Sequence, residues 1–434
     1  MATMAAATFF SAQSVPRATC IQTKNAKPSI VSVRSKFLAG NNVVRVAAAA
    51  RSVVPVLRRA TECAGGSRDS NGATAITAAN AERTITRLAI PSKGRMAEDT
   101  QALLGSCQLK VNKTNPRQYT ARVAQLPGME VWFQRASDVV RRMRAGDVDL
   151  GILGMDMFEE FGEGDDELVV IHEALSFGHC HLSLGVPTGG EWEHIRTLDD
   201  LMAMKKFTKE RPLRVVTGYQ YIAKQYFKKI GFENVQLLTA DGALEAAPKM
   251  DYADIILDLV STGTTLRENN LKELEGAVIM QSEGVLVARK QALLDQPEAL
   301  SIVRLMLERI EAHLKAEGQF TVVTNMRGDS QEDVAKKLMD ADPLLCGLQG
   351  PTVGRVFTRA ADGSVHDGEF YGATICVPQS RLYESVALLR QIGGSGIMVS
   401  PLTYIFDEQP ERWSALLEKL GIENYDSFVP TLSK

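Results

Sequence analysis

The sequence has 434 residues, of which 45% are hydrophobic and 23% are charged, and this composition is that of a globular protein with two or three domains. It carries 49 Lys and Arg against 52 Asp and Glu, and no uncharged apolar run approaches the roughly 20 residues that a membrane-spanning helix needs. The composition therefore argues against a membrane protein and against a broadly basic nucleic-acid-binding protein.

Residues 1–61 contain no Asp or Glu but carry nine basic residues among many Ala and Ser. This pattern is typical of an organellar transit peptide, and the Ala and Ser content favours import into the plastid stroma. The alternative is an N-terminal tail that is never cleaved. Without this segment, 40 basic residues (49 minus nine) face 52 acidic ones, a net charge of −12. Residues 62–83 are small and polar, which predicts a linker.

From Thr84 onwards, short apolar runs alternate with amphipathic stretches. Strand-like ITRLAIP, MEVWFQR and VDLGILG alternate with helix-like RMAEDTQALLGSC and SDVVRRMRAG, in which Ser137 is the candidate N-cap. The alternation repeats from HLSLGVP to DIILDLV. It predicts βαβ units in mainly parallel sheets, hence an α/β protein of two lobes with a ligand cleft between them.

The remaining chain predicts a return to the first lobe and then a third domain. AVIMQSEGVLVARKQAL resembles strands and a helix leading back, and the segment after Gly318 has the order βαββαβ of a ferredoxin-like regulatory module. We therefore expect lobe I at 84–182 with a return segment at 278–318, lobe II at 183–277, and a regulatory domain at 319–434.

Three basic segments of lobe I are candidate anion sites. PSKGR places Lys93 and Arg95 at a strand-to-helix turn, where the helix N-terminus also favours anions. Arg117 in NPRQ and Arg135 in QRASD lie beside turn or cap residues, and arginine suits bidentate phosphate contacts. The alternatives are a solvated basic turn and surface salt bridges.

Two further segments combine glycine with a carboxylate. In DLGILGMD, Gly154 would let a flat ligand approach the backbone, and Asp156 follows it. In TADGALEAAP, a glycine turn leads into a predicted helix that carries Glu245. A turn or bulge and a capping residue are the alternatives.

The segment DLVSTGTTL leaves an apolar strand through a loop of hydroxyl-bearing residues and glycine. Its N–H and hydroxyl groups suit an anion, and Asp258 before the loop could accept hydrogen bonds from ribose or neighbour a Mg²⁺-bound pyrophosphate. Asp254 is expected to face away. The alternative is an ordinary polar turn. The loop residues are Ser261, Thr262, Gly263, Thr264 and Thr265.

Two other patterns indicate structure more than chemistry. His172, His179 and His181 lie close in sequence without a third metal ligand of clear geometry, so structural histidines are favoured over a metal site. IGGSG at 392–396 is expected to be the end of a helix. The six cysteines form no CxxC pair, which indicates reduced thiols.

Taken together, these motifs resemble the ATP phosphoribosyltransferase family in its long, regulated form, of the plant or green-algal plastid type. The resemblance runs from Leu88 to the C-terminus. It rests on RLAIPSKGRMAEDT, NPRQY, QRASDVV, DVDLGILGMD, GALEAAP, DLVSTGTTLRENNLKELE, LQGPTV and VSPLTYIF, in this order.

The resemblance implies transfer of phosphoribosyl from phosphoribosyl pyrophosphate (PRPP) to N1 of ATP, with Mg²⁺ as cofactor, in the first step of histidine biosynthesis. It implies two lobes like those of periplasmic binding proteins and a C-terminal domain that binds histidine as inhibitor. It also implies a homo-oligomer, a hexamer in equilibrium with a dimer, with no nucleic-acid or membrane partner.

Carried over by motif, residues 261–265 would hold the donor 5′-phosphate and Asp258 the ribose hydroxyls. Catalytic cations would be Lys93, Arg117 and Arg135, with Arg95, Gly154, Asp156 and Glu245 binding substrate. The histidine pocket would comprise Leu348, Thr352, Cys376 and Gly396. The chain departs from the family pattern at His181, which replaces an arginine, and at Gly350, which replaces a serine.

A solute-binding protein of the same fold is the competing class. Such a receptor performs no chemistry, and it has no need of several cationic turns around one cleft or of an intracellular targeting peptide.

Overall fold

The computed structural model of the chain describes residues 83–115, 117–240 and 242–423. The predicted transit peptide and all of the predicted linker except Arg83 lie outside the described residues. Within these ranges, no helix is both long enough and apolar enough to cross a bilayer.

The strands occupy the following ranges in chain order: β1 (Thr86–Pro91), β2 (Val111–Asn112), β3 (Thr120–Val123), β4 (Met129–Gln134), β5 (Leu150–Gly154), β6 (Leu168–His172), β7 (Cys180–Pro187), β8 (Leu213–Thr217), β9 (Val235–Thr239), β10 (Ile255–Val260), β11 (Leu271–Ser282), β12 (Gly284–Arg289), β13 (Gln319–Arg327), β14 (Thr352–Arg359), β15 (Val365–Pro378) and β16 (Ser395–Pro401).

The α-helices occupy the following ranges: α1 (Arg95–Ser106), α2 (Ala136–Arg144), α3 (Met155–Gly162), α4 (Leu198–Met202), α5 (Gln220–Lys229), α6 (Thr264–Glu268), α7 (Lys290–Asp295), α8 (Pro297–Ala316), α9 (Gln331–Ala341), α10 (Leu382–Gln391) and α11 (Glu411–Leu420). Short 3₁₀ helices lie at Gly190–Trp192, Leu244–Ala246, Pro343–Cys346 and Gln379–Arg381.

The first lobe is a sheet covered by helices on both faces. Its order is β2-β3-β4-β1-β5-β12-β6. Leu88 and Ile90 of β1 pack with α1 and α8, whereas Ala89 packs on the opposite face with α2. Alternation along a strand sends successive side chains to opposite faces, so an unbroken apolar strand such as β1 needs both layers.

The second lobe repeats the strand arrangement of the first. Its order is β11-β7-β10-β8-β9. Each lobe has two adjacent parallel pairings, β4-β1-β5 in the middle of the first sheet and β9-β8-β10 at one end of the second, and the next strand, β12 or β7, is antiparallel. The prediction of mainly parallel sheets is wrong, because antiparallel strands lie on both sides of the parallel strands in the first sheet and on one side in the second, so both sheets are mixed.

The antiparallel strands β7 and β12 are those that the chain forms directly after crossing between the lobes. The first crossing joins β6 to β7 and the second joins β11 to β12. The crossings lie side by side, since Ser282 pairs with Cys180 and the Gly284 N–H donates to Phe177 O at 2.8 Å. The chain thus crosses twice between the lobes, and each crossing leads into a strand of the next lobe. This is the predicted periplasmic-binding-protein-like architecture.

The third domain confirms the predicted βαββαβ order. Its antiparallel sheet has the order β14-β15-β13-β16, and Val334 of α9 and Leu389 of α10 pack on Val322 and Ile375. The turn at 392–396 is the end of a helix, as predicted, because the Gly394 N–H donates to Leu389 O at 2.7 Å just after α10.

Two local predictions are corrected by the backbone. Ser137 does not cap α2, because the helix begins at Ala136 and its N-cap is Arg135 in an extended conformation (φ −70°, ψ 148°). The strand geometry of β4 thus continues into Arg135 and leaves Ser137 inside the helix. Glu245 lies in a three-residue 3₁₀ turn, Leu244–Ala246, rather than in an α-helix.

After β16 the chain leaves the third domain and returns to the first lobe. Helix α11 buries Trp413, Leu416 and Leu420 in the core that α8 shares with β1. The C-terminal helix is thus part of the first lobe by its packing, although it follows the third domain in sequence.

We expect Trp413→Ala to destabilise the first lobe by about 3 to 5 kcal/mol, because Trp413 is only 3% exposed and its loss leaves a cavity. Lys419→Ala, at an exposed position of the same helix, is the control and should change stability by less than about 0.5 kcal/mol. Thermal unfolding of the full chain measures both. Equal melting temperatures for the two variants would contradict this packing role.

Candidate active site

The first cationic turn joins β1 to α1. Gly94 is the N-cap of α1 and has φ 76°, a conformation that glycine adopts without strain, and no side chain caps this helix. The exposed side chains of Lys93 and Arg95 flank Gly94. The turn therefore presents two cations beside an uncapped helix N-terminus, which favours an anion.

The second cationic turn, from β4 to α2, lies next to the first. β1 and β4 are parallel neighbours, with Pro91 opposite Gln134, and the Ser92 N–H donates to Gln134 O at 2.8 Å. This pairing brings Arg135 to the same edge of the sheet as Lys93. A cavity of about 760 Å³, the cationic cavity, is lined by Pro91, Ser92, Lys93, Gly94, Arg95, Met96, Tyr119, Trp132, Phe133, Gln134, Arg135, Ala136 and Asp138.

Arg117 lies on the loop that leads to this cavity. It is exposed, and its backbone N–H donates to Asn115 Oδ1 at 3.0 Å. Tyr119, two residues later, lines the cavity and was missed from the sequence. An aromatic residue in the NPRQY motif, beside a predicted phosphate-binding arginine, is the signal that could have indicated it.

A second cavity of about 630 Å³, the interlobe cavity, lies where the lobes meet. Lobe I contributes Arg95, Gly154 and Asp156, whereas Tyr219 and Ser261 come from lobe II. Four residues line both cavities, so the two form one continuous cleft. The shared residues are Pro91, Arg95, Met96 and Ala136.

The predicted pair Gly154 and Asp156 lies at the floor of this cleft. A Cβ on Gly154 would collide with Asp156 Oδ1, so glycine is what lets the carboxylate fold back over the strand end. Asp156 is 5% exposed and accepts hydrogen bonds from Ser282 Oγ at 2.7 Å and from the Tyr219 hydroxyl at 2.9 Å.

Tyr219 and Ser282 were not predicted from the sequence. Burial, followed by the charge and hydrogen bond of Asp156, raises the pKa of Tyr219, which keeps its hydroxyl a donor. Burial likewise raises the pKa of Cys180, which lines the interlobe cavity. Tyr219 follows strand β8 after one glycine, and Ser261, which also lines the interlobe cavity, directly follows strand β10 of the same lobe. This similar position after a strand was the signal that could have indicated Tyr219.

Asp258 lies at the end of β10 beside Tyr219. Burial and the negative charge of Glu245 raise the pKa of Asp258 to about 6, against a hydrogen bond from the Leu259 N–H that lowers it. The structure therefore brings the two predicted carboxylates, Asp258 and Glu245, close together. Asp254 instead bonds to Arg214 at 3.0 Å, consistent with the expectation that it faces away.

The loop 261–265 is exposed except for the half-buried Gly263. Gly263 has φ 66°, Thr262 Oγ1 and Thr264 Oγ1 are 3.0 Å apart, and Arg267 Nη2 donates to Thr264 Oγ1 at 3.1 Å. Ser261 lines the interlobe cavity, whereas Gly263 lines a neighbouring cavity of about 350 Å³. Arg267 thus adds a cation to the predicted anion loop.

The three clustered histidines have separate partners. Burial lowers the pKa of His172 to about 4, and its Nδ1 accepts from the Ala174 N–H. His179 lies 3.6 Å from Glu283, and His181 Nε2 lies 2.6 Å from Glu273. Among the described residues, no group of three His, Cys, Asp or Glu side chains could hold a metal ion.

The third domain has a cavity of about 390 Å³, the third-domain cavity. It contains three of the predicted histidine-binding residues, Leu348, Thr352 and Cys376. Gly396 is elsewhere, because it follows Ser395, which pairs with Asn325, four residues along β13 from the cavity residue Thr321. The remaining lining residues are Lys315, Gln349, Gly350, Thr374, Ile375, Ile405, Phe406 and Asp407.

We expect Asp258→Asn to raise the melting temperature, increasingly so from about pH 4 to about pH 6. With a folded pKa of about 6, the carboxyl keeps its proton in the folded chain after the unfolded chain has lost it, so stability falls as the pH rises through this window. Asn has no proton to lose and still accepts from the Leu259 N–H.

Asp254→Asn is the control of opposite sign. Burial opposes ionisation of Asp254, but the hydrogen bonds and charge of Arg214 outweigh it and lower its pKa. This substitution should therefore lower the melting temperature, and most at neutral pH, where the wild-type carboxylate is ionised. A pH-independent effect of Asp258→Asn would contradict the buried, ionisable state of Asp258.

Two family models match the chain. One, described as ATP phosphoribosyltransferase, matches residues 135–312, and the other, described as HisG, C-terminal domain, matches residues 316–404. The first begins at Arg135 and ends within α8, and the second spans the third domain through Tyr404.

Relatives match over most of the chain. ATP phosphoribosyltransferase 2, chloroplastic, of Arabidopsis thaliana is 53% identical over 368 residues, which cover 84% of this chain and 88% of the relative. ATP phosphoribosyltransferase 1, chloroplastic, of the same organism is 51% identical over 373 residues, which cover 84% and 90%. The ATP phosphoribosyltransferase of Nitrobacter winogradskyi is 30% identical over 339 residues, which cover 77% and 97%.

The resemblance noted in the sequence is thereby confirmed, and a solute-binding receptor is excluded. The chain belongs to the ATP phosphoribosyltransferase family, in its long form with a C-terminal domain, and is of the chloroplastic type.

Proposed function

We propose that this chain transfers phosphoribosyl from PRPP to N1 of ATP and releases pyrophosphate, the first step of histidine biosynthesis, in the plastid stroma. The observation that carries the proposal is the continuous cleft, which is lined by cations from lobe I and reaches the hydroxyl-rich loop of lobe II. A polyanionic donor needs cations or N–H groups at each end. Lobe I offers cations, and the loop of lobe II offers N–H groups.

Electrostatic stabilisation is the mechanism that suits this cleft. Attack by the adenine nitrogen on the anomeric carbon passes through an oxocarbenium-like state while negative charge develops on pyrophosphate, so fixed cations lower the barrier. Lys93, Arg95 and Arg135 line the cationic cavity and would hold the phosphate groups of both substrates. Arg117 would reach the same groups from the neighbouring loop.

Covalent catalysis is disfavoured by the groups that the cleft contains. Burial raises the pKa of the Cys180 thiol, which keeps it protonated and weakly nucleophilic. His172 lines neither cavity of the cleft, and it is neutral at physiological pH because burial lowers its pKa to about 4. The reaction then requires only positioning and charge stabilisation.

Lobe II would hold the sugar end of the donor. The loop 261–265 supplies hydroxyls and N–H groups for the 5′-phosphate, with Arg267 behind Thr264. Asp258, with Glu245 nearby, supplies acceptors for the ribose hydroxyls. Gly154 lines the cleft floor where the nucleotide would lie, and Asp156 supports that floor through Tyr219.

Mg²⁺ would be held mainly by the phosphate oxygens of the substrates. The carboxylates proposed beside the loop 261–265 are Asp258 and Glu245, and they suffice, since Mg²⁺ bound to substrate phosphates needs only one or two protein carboxylates. When bound, the ion neutralises charge on the pyrophosphate. Lys93 and Arg135 would orient that pyrophosphate for departure.

We further propose that histidine inhibits the enzyme from the third-domain cavity and that the chain assembles as a hexamer in equilibrium with a dimer. Support for inhibition comes from how this cavity connects to the crossings. Its residues Ile405, Phe406 and Asp407 lead into α11, where Arg412 donates to Glu173 at 2.7 and 2.9 Å. Glu173 begins the first crossing, so displacement of residues 405–407 reaches the junction of the lobes.

The proposed activity is tested by incubating the purified chain with ATP, PRPP and Mg²⁺ and measuring phosphoribosyl-ATP by mass spectrometry. We expect steady formation of phosphoribosyl-ATP and pyrophosphate. Absence of product from folded protein would refute the proposal.

Arg135→Ala should lower kcat/KM by roughly 10²- to 10³-fold, because it removes a cation that stabilises the departing pyrophosphate. Its melting temperature should stay near the wild-type value, since Arg135 is exposed. Arg142→Ala, whose side chain is 56% exposed on the same helix, is the matched control. Unchanged turnover in Arg135→Ala would remove this residue from the site.

Arg412→Ala should raise the histidine concentration for half-inhibition by roughly fivefold or more, because it cuts the contact between α11 and Glu173. Calorimetric titration should still detect histidine binding. Arg381→Ala, which breaks an exposed ion pair with Glu384 within the third domain, is the control and should leave inhibition unchanged. Identical inhibition of Arg412→Ala and wild type would contradict this route.

A further inference from the structure

One face of α3 in lobe I is attached to lobe II by two buried carboxylates. Asp156 and Glu160 lie one turn apart, so they share this face, and they are 5% and 6% exposed. Buried carboxylates need hydrogen-bond donors, and both find theirs at or beyond the lobe boundary.

Glu160 caps a helix of the other lobe. Its Oε1 accepts from the Tyr221 N–H and its Oε2 from the Ile222 N–H, both at 3.0 Å. The first intrahelical bond of α5 is from the Ala223 N–H to Tyr219 O, so these two N–H groups have no partner within the helix. In the described part of lobe II, the N-cap residue Tyr219 makes no side-chain capping bond to α5.

Asp156 makes the second attachment. It binds the Tyr219 hydroxyl, one residue before α5, and Ser282 Oγ, at the end of β11 directly before the second crossing. Between the two carboxylates, Met157 packs against the apolar cores of both lobes. Polar and apolar contacts along one helical turn thus oppose separation of the lobes.

We propose that this α3 clamp, formed by Asp156, Met157 and Glu160 on residues 219–222 and Ser282, holds the two lobes in their substrate-binding arrangement before substrate arrives. Glu160 is then a positioning residue for the transfer reaction. The inference rests on the proposed function, because the arrangement matters only if PRPP bridges the lobes.

The clamp acts on the distance between two halves of one binding site. The cations that would hold pyrophosphate are on lobe I, the loop 261–265 is on lobe II, and α3 starts directly after Gly154 at the floor between them. If the lobes separate, part of the binding free energy of the substrate is used to close them. The apparent dissociation constant then rises by the reciprocal of the closed fraction. Bound and closed enzyme should still react at the normal rate.

A purely structural role for Glu160 makes a different prediction. Loss of a buried cap would then lower the melting temperature while the KM values of the molecules that remain folded stay unchanged. The split between KM and kcat therefore separates a clamp from simple stabilisation.

The experiment uses the full chain with Glu160→Ala, Glu160→Gln and, as the matched control, Glu159→Ala at the exposed neighbouring position. We expect the KM values for PRPP and ATP to rise roughly 5- to 50-fold in Glu160→Ala, with kcat at saturation within about threefold of wild type. Glu160→Gln retains one acceptor oxygen, so its KM values should lie between those of wild type and those of Glu160→Ala. The control should match wild type.

Unchanged KM values, or a fall in kcat at constant KM, would overturn the proposal. If Glu160→Ala does not fold, the same criteria applied to Glu160→Gln decide it.

Hydrogen exchange and small-angle X-ray scattering, on enzyme without substrate, separate failure of the clamp from failure of the proposed function. Opening of the clamp should speed exchange at the Tyr221 and Ile222 amides and enlarge the radius of gyration, whether or not the chain is catalytic. If wild type forms no phosphoribosyl-ATP, the proposed function is wrong. If wild type is active but the Glu160 variants scatter and exchange like wild type, the clamp is wrong.

Discussion

The paired crossing between the lobes is the constraint on which the rest of the molecule depends. Ser282 and Cys180 lie opposite each other in the last register of β11 and β7, and the Gly284 N–H bonds to Phe177 O immediately beyond. Each crossing then delivers a strand into the opposite sheet. The lobe cores, the cleft floor at Gly154 and the α3 clamp are all built around this junction, so its geometry sets the width of the cleft.

Charge is divided unequally across that cleft. Lobe I presents Lys93, Arg95 and Arg135 on exposed turns, whereas lobe II presents the hydroxyl-bearing loop 261–265, which follows Asp258 and strand β10. A donor with pyrophosphate at one end and a phosphorylated sugar at the other fits this division. Because the two sets are on different lobes, the arrangement of the lobes sets the distance between them. Arg412 of α11, the helix that follows the third domain in sequence, bonds to Glu173 at the start of the first crossing.

Local chemistry was predictable from the sequence, and contacts between distant segments were not. The turns around Gly94 and Gly263 and the βαββαβ order follow from residue types and periodicity. The mixed sheets could not be predicted, because β7 and β12 have apolar patterns like those of parallel strands and their direction depends on the crossings. Asp156 bonds to Tyr219 and Ser282, which are 63 and 126 residues away in sequence. Contacts over such separations cannot be predicted from a local sequence pattern.

The crystal structure of the full chain with PRPP and Mg²⁺ is the most direct measurement of how the cleft is used. We expect the 5′-phosphate at residues 261–265, the ribose hydroxyls at Asp258, and the pyrophosphate directed towards Lys93, Arg95 and Arg135, with the clamp at Glu160 intact. A donor bound wholly within one lobe, or a pyrophosphate remote from all three cations, would contradict it.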